Sequence, residues 1–470
     1  AKLLISITTT LFERSEGIHM LDLLIKNAVI VDGTGAPAYK GSVGVQKGKI
    51  VLSAPDAEAE KVIDAEGLHL SPGFVDIHMH EEDFAADGER YIISELMLKM
   101  GVTTACGGNC GMQNQPLRRF KESIARLGGC PVNYVMLAGY NQMRYELGLG
   151  HNDPLTEAQT PEIRVLLQRE LEEGARGISF GIEYDPAITF ADMRDALTLL
   201  CDSRYLAAAH FRQSGSGAVA SVDEMIRLAE VSGVKFQISH LVSCSAYGQM
   251  ESSLELINRA AERSSLVNYD TYPYNAFATH IGSEVFEKES MDQWCEDVGT
   301  IMLTEEPYKN RYCTDALLAE ARRRFPQMLA VGFIMRDEEV SRAISNECGM
   351  IGSDGILNRG NGHPRAAGTF PRVLGKYGRE EKALPLIDAL RKMTLAPAAR
   401  LALTGKGRIA VGADGDITVF DPDTVADGAT YDDIYIQPEG IDYVVVGGRI
   451  AVAHKETVND RAGRFLPFSG

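Results

Sequence analysis

No stretch of this chain reaches the roughly 18 consecutive apolar residues that a membrane-crossing helix needs. Cations are in short supply too: 47 Lys and Arg stand against 65 Asp and Glu, a formal net charge of −18. Such a balance offers no basic field to a phosphate backbone or an anionic lipid surface, and argues against nucleic acid and membrane as partners. It leaves a charged small molecule open, because a cleft on an acidic protein is free to be locally positive. Internal repeats and low-complexity tracts are absent. The eight cysteines are scattered over 470 residues with mostly apolar flanks, a pattern that reads as reduced and cytoplasmic rather than disulfide-stapled. Ala1-Lys-Leu-Leu-Ile-Ser-Ile7 is apolar but short. Glu13, Arg14 and Glu16 follow it without an evident small-residue cleavage site, so it is not read as a signal peptide. The domain pattern begins at Met20, and residues 1–19 are set apart as an N-terminal extension.

What is present has two textures. Residues 20–71 carry short β-type runs (Leu23–Lys26, Ala28–Val31, Ser42–Val45, Lys49–Leu52, Lys61–Asp64) separated by turns such as Asp32-Gly-Thr-Gly35. The same texture returns over 405–470, in Gly415–Asp421, Ile441–Gly447 and Arg449–Val452, with Val446-Gly-Gly-Arg449 as a hairpin turn. Both chain ends are therefore expected to build one small β-sandwich domain. Residues 72–404 alternate strand and helix patterns. Eight candidate strands are Phe74–His80, Thr103–Cys110, Tyr134–Gly139, Gly177–Ile182, Leu206–Arg212, Lys235–His240, Leu266–Tyr272 and Met350–Asp354. Helical patterns such as Ala158–Glu173 and Val222–Val231 fill the gaps. The fold class expected is α/β, a TIM-type (β/α)8 barrel. The stretch from about 275 to 345, with a helical run at Thr314–Arg324, reads as an insertion at the active-site face.

Histidine is scarce, ten in all, yet several close strands. Alternation along a strand points His78 and His80 the same way, half a metal site. His210 and His240 end the fifth and sixth candidate strands, and Asp354 ends the eighth. A lone strand histidine is more often a satisfied core residue. Four of them with an acid, all at the C-terminal ends of barrel strands, point instead to zinc or a similar divalent ion with an open position for water. Periodicity does not choose between Cys106 and Cys110, which are four apart. Four strand residues span about 13 Å, so a rim position for one places the other deep in the barrel.

Pro72-Gly-Phe-Val-Asp-Ile-His-Met-His80, with His210, His240, Asp354 and the flanking β-texture, resembles the amidohydrolase superfamily. Many of its members bridge two metals with a carbamylated lysine on the fourth strand. Gly177-Ile-Ser-Phe-Gly-Ile-Glu-Tyr184 has no lysine. Gly101-Val-Thr-Thr-Ala-Cys-Gly-Gly-Asn-Cys-Gly111 is similar instead to the second-strand motif of the D-aminoacylase branch, the N-acyl-D-amino-acid deacylases, whose Gly-Asn-Cys-Gly cysteine binds zinc. Asp270-Thr-Tyr-Pro-Tyr274 and the run from Gly352 through His363-Pro-Arg365 to Gly375 suit the same branch.

The resemblance implies a tight Zn2+ on Cys110, His210 and His240. It implies a second, weaker site on His78, His80 and Asp354, or Asp354 free as the base. Asp354 would then take a proton from the attacking water and pass it to the leaving amine of an amide. Arg365 is the candidate fork for a substrate α-carboxylate. Tyr184, Tyr272 and Tyr274 lie where they could donate to an oxyanion, and Arg212 could orient a carboxylate, each set against a packing or ion-pair role. The lysine that many deacylases of the branch carry two residues after the sixth-strand histidine is Val242 here. His280 is a weak substitute for that cation. The function implied is hydrolysis of N-acyl-D-amino acids or related N-acyl compounds, a small-molecule reaction with homo-oligomerisation left open. A cyclic-amide hydrolase of the dihydroorotase or hydantoinase kind is the first rival, disfavoured by the missing lysine, and a non-catalytic barrel is the second, disfavoured by the complete ligand set.

Overall fold

The computed structural model describes residues 20–86, 88–295 and 297–468; the extension 1–19 lies outside them. The chain is α/β, and no helix among the described residues is long and apolar enough to cross a membrane.

The two chain ends pair. His69–Pro72 runs antiparallel to Ile417–Phe420, joining five N-terminal and four C-terminal strands into one nine-stranded sheet. Its alternating apolar side chains, among them Leu23, Ile25, Val43, Val45, Ile417 and Val419, gather into a core of their own. The two short runs expected at 23–31 are a single strand, Leu21–Ile30, with a register shift between Ile25 and Ala28. Asn27 supplies the reason: it sits at φ +63, a conformation Asn tolerates, and its amide bonds Asp64. The Gly447-Gly448 turn joins Ile441–Val446 to Arg449–Ala453, both glycines at positive φ as a two-residue hairpin requires.

In the central region, parallel strands follow in chain order. Phe74–Asp76 pairs with Val102–Gly107, and that with Asn133–Met136. The last continues through Leu137 into Ala138–Gly139, which pairs with Gly177–Gly181. Leu206–His210, Lys235–Ile238, Val267–Thr271 and Gly349–Ile351 complete the series. Beyond the final strand, the Asp354 N–H donates to the His78 carbonyl (2.7 Å) and the His80 N–H to the Gly355 carbonyl (2.9 Å), linking the ends of the last and first strands. Helices such as Thr160–Glu172 and Ala218–Ser232 separate the strands, the latter stopped by Gly233 at φ +70. The 275–345 stretch builds a four-stranded antiparallel sheet of Phe277–His280, Leu329–Gly332, Ile301–Leu303 and Arg311–Tyr312. Its helix Asp315–Arg324 is capped by the Thr314 hydroxyl.

Candidate metal centre

Except at His210, which closes Leu206–His210, the parallel strands stop short of the candidate ligands. His78 and His80 follow a strand that ends at Asp76, Cys110 follows one that ends at Gly107, and Asp354 one that ends at Ile351. Cys110 therefore does not share a strand face with Cys106. It lies in a turn at φ +55, while Cys106 is buried with Val75, Ile77 and Val135 and burial pushes its thiol up. His240 (φ +33) and Asp354 (φ +50) are also left-handed, so three of the six expected ligands occupy a conformation that side chains seldom adopt. Each is held by its neighbours. The His240 N–H donates to Asp270 Oδ1 (2.7 Å), and the Gly111 N–H to Ser179 Oγ (3.0 Å). Ser179 also donates to the Gly108 carbonyl, so the fourth strand, which lacks a lysine, braces the Cys110 turn.

All six side chains come together, and all are buried. Cys110 Sγ lies 3.3 Å from both His78 Nε2 and His240 Nε2. Asp354 Oδ1 lies 3.3 Å from His80 Nε2 and 3.5 Å from His78 Nε2. Two donor sets result: His78, His80, Cys110 and Asp354, and Cys110, His210 and His240, each with its donor atoms within 4.8 Å of one another. Cys110, assigned to one site by the sequence, belongs geometrically to both.

Burial alone would raise the Cys110 thiol, but His78 and His240, with His210, hold it well below its usual range. Asp354 is likewise raised by burial yet held well below the carboxylate range by Arg365, His240, His80 and His78. Thiolate and carboxylate are the forms in which sulfur and oxygen bind divalent cations. Burial lowers His80 and His210, but Asp354 and Cys110 raise the first, and Cys110 and Glu183 the second, each to about 9. A soft thiolate among imidazoles, with a carboxylate at one side, fits zinc. The buried Nδ1 of His210, which has no partner among the described residues, fits the same demand.

Sequence reasoning missed the residues that hold these donors. Asp270 Oδ1 faces His78 Nδ1 at 2.9 Å, and its Oδ2 accepts from Gln237. Ser243 Oγ meets His240 Nδ1 at 2.8 Å. In both cases the outer ring nitrogen is engaged and Nε2 turns toward Cys110. Glu183 Oε2 lies 2.8 Å from His210 Nε2, and Ser214 donates to its other oxygen. Asp76 accepts the His78 and Ser353 N–H groups, and burial pushes its carboxyl up to about 7. Asp270 opens the motif Asp270-Thr-Tyr-Pro-Tyr274, Ser243 follows His240 by three along one helical turn, and Glu183 lies beside Tyr184 in the fourth-strand segment that has no lysine.

Arg365 is buried beside the cluster. Its Nη2 bonds Asp354 Oδ2 (2.9 Å) and the Ala278 carbonyl (3.0 Å), while Nε and Nη1 have no partner among the described residues. Its guanidinium lies over the Tyr272 ring at 4.7 Å, and the Tyr272 hydroxyl is buried without a partner among the described residues. The Tyr184 ring stands 4.4 Å from that of His210, and its hydroxyl accepts from Thr279 (3.2 Å). Tyr274 is turned toward Arg372 and Asp427. Arg212 does not join the set: Glu224 takes its Nε and Nη2, and the Ile188 and Pro186 carbonyls take the rest, so it is a structural ion pair. His280 lies on a strand rather than in a loop; burial, then the charge of His80, lowers it to about 4, so it supplies no cation at neutral pH. A cavity opens against His210, His240 and Asp354.

The sequence signature of the amidohydrolase family matches residues 69–451. An N-acyl-D-glutamate deacylase of Alcaligenes xylosoxydans xylosoxydans is 32% identical, with 95% of this chain and 96% of the relative covered. A D-aminoacylase of the same organism is 30% identical, with 95% and 97% covered. The crystal structure of an N-acyl-D-glutamate deacylase from Bordetella bronchiseptica, complexed with zinc and a phosphonate inhibitor, superposes with a TM-score of 0.86 at 28% identity, covering 95% of this chain and 100% of that one. The chain belongs to the amidohydrolase family and, within it, to the D-aminoacylase branch.

Proposed function

We propose that this protein hydrolyses N-acyl-D-amino acids to a carboxylate and a free D-amino acid, with Zn2+ held by Cys110, His210 and His240. His78, His80 and Asp354 offer a second, weaker position next to the same thiolate. The observation that carries the proposal is the thiolate of Cys110 shared by two donor sets, with Asp354 and Arg365 paired at their edge. Zinc bound there supplies Lewis-acid polarisation of the scissile carbonyl.

The chain's own groups supply the rest. Asp354 Oδ1 accepts a proton from the attacking water and returns it to the leaving nitrogen as the C–N bond breaks. The unpartnered Nε and Nη1 edge of Arg365, with the Tyr272 hydroxyl, receives the substrate α-carboxylate. Because the Tyr184 hydroxyl accepts from Thr279, its own proton is free for the developing oxyanion. Asp270, Ser243 and Glu183 position the imidazoles. The architecture proposed around the site is a (β/α)8 barrel over 72–404, closed by the His78–Asp354 and His80–Gly355 links, with a small β-sandwich from 20–71 and 405–470. We place the protein in the reducing cytoplasm, where its thiolate survives.

Asp354→Asn tests the assignment. The variant is expected to keep its zinc and lose turnover of an N-acyl-D-amino acid by about 10²–10⁴-fold. Undiminished turnover removes Asp354 from the reaction.

A further inference from the structure

The 275–345 insertion supplies one wall of the cavity beside the metal cluster. Phe277 and Thr279 come from the strand Phe277–His280, Val285 from the turn after it, and Trp294 from the end of Lys288–Trp294. Phe277, Phe286 and Trp294 fix one another, ring centroids 5.2–6.1 Å apart. Tyr247 and Phe211 extend the apolar surface. Its acidic residues are Glu183 and Asp354, and no Lys or Arg is among its described lining residues. Arg365 is bonded to Asp354, and Val242 is fully buried and apolar.

We infer that this cavity is the subsite for the substrate's side chain and that it selects N-acyl-D-amino acids bearing an uncharged, apolar side chain over those bearing a second carboxylate. The inference rests on the deacylase reading. A glutamate or aspartate side chain entering the cavity surrenders its hydration among aromatic walls, meets two carboxylates and finds no lysine or arginine among the described lining residues. A leucine, methionine or phenylalanine side chain leaves water for a surface that matches it. Overall similarity to an N-acyl-D-glutamate deacylase does not carry the preference across, because the residues lining the cavity decide it.

The test is a comparison of kcat/KM on the zinc-loaded protein for N-acetyl-D-leucine, N-acetyl-D-methionine, N-acetyl-D-glutamate and N-acetyl-D-aspartate. The expected result is a preference of at least about 100-fold for the neutral pair. Equal or greater efficiency with the acidic pair overturns the inference and leaves the deacylase reading intact. If no compound is hydrolysed, the deacylase reading fails, and a binding measurement decides the subsite separately. Trp294 is the chain's single tryptophan, so its emission reports on the cavity. Tighter saturable change with N-acetyl-D-leucine than with N-acetyl-D-glutamate supports the subsite; the reverse order, or no change with either, overturns it. Val285→Lys adds a cation to the wall and is expected to narrow the kcat/KM ratio by at least about tenfold; an unchanged ratio in the folded variant counts against the cavity as the side-chain site.

Discussion

At the scale of single residues, the donors were legible and their supports were not. Histidine and cysteine are rare enough that His78, His80, Cys110, His210 and His240 announce their chemistry by identity and by position at strand ends. Carboxylates are common, and those that matter here act through space. Asp270 reaches His78 from 192 residues away, and its local motif does not say which histidine it faces. Its bond to the His240 N–H also holds a left-handed backbone that would otherwise cost about 1–3 kcal/mol. Asp270→Asn keeps the size and removes the charge facing His78 Nδ1. Zinc affinity, measured by chelator competition, should fall about 10–100-fold while the fold persists; unchanged affinity would show that Asp270 does not orient the ligand.

At the scale of elements, strand alternation predicted the right neighbours for a partly wrong reason. The apolar runs continue to His80 and Cys110 in sequence, but hydrogen-bonded strand stops at Asp76 and Gly107. Of the proposed ligands only His210 lies within a strand; Cys110, His240 and Asp354 sit on turns beyond the strands, where positive φ re-aims a side chain in a way that a period of two cannot describe. The fit of those turns is tight. A Cβ on Gly181 would stand 2.1 Å from the Cys110 carbonyl oxygen. Gly181→Ala must move the Cys110 turn, so it should lower zinc affinity and destabilise the fold by about 1–3 kcal/mol. Thermal unfolding with and without zinc separates the two effects, and a variant indistinguishable from wild type in both would contradict this account of the turn.

At the scale of the whole molecule, the β-texture of both chain ends was legible, but not the order in which nine strands pair. The joint between His69–Pro72 and Ile417–Phe420 is non-local, and no short-range signal encodes it. A buried ion cluster sits near that joint. Lys406 Nζ lies 3.1 Å from Asp414 Oδ2 and contacts Asp416 directly, at 6% exposure. Burial would lower its pKa, but Asp416 and Asp414 raise it above the ordinary lysine value. Burial would raise Asp414, and Lys406 and Lys49 lower it instead. The lysine's contribution is thus fully present below its ordinary value of about 10.4 and fades as pH rises through the higher folded value; that of Asp414 is present above about 3.9 and fades as pH falls through the depressed one. Lys406→Met takes the cation from Asp416 and leaves Asp414 with Lys49 alone, and should cost about 3–5 kcal/mol across the interval between. Denaturant titrations of both proteins from acid to alkaline pH check this, with the gap expected to close at the two extremes.

Zinc-dependent turnover of paired enantiomers bears most directly on the proposed chemistry. Protein stripped of metal and reloaded with zinc is predicted to hydrolyse N-acetyl-D-leucine at least about 100-fold more efficiently than N-acetyl-L-leucine, and to lose that activity again to a chelator. Equal hydrolysis of both enantiomers, or turnover of the D-compound that survives complete removal of metal, would contradict it.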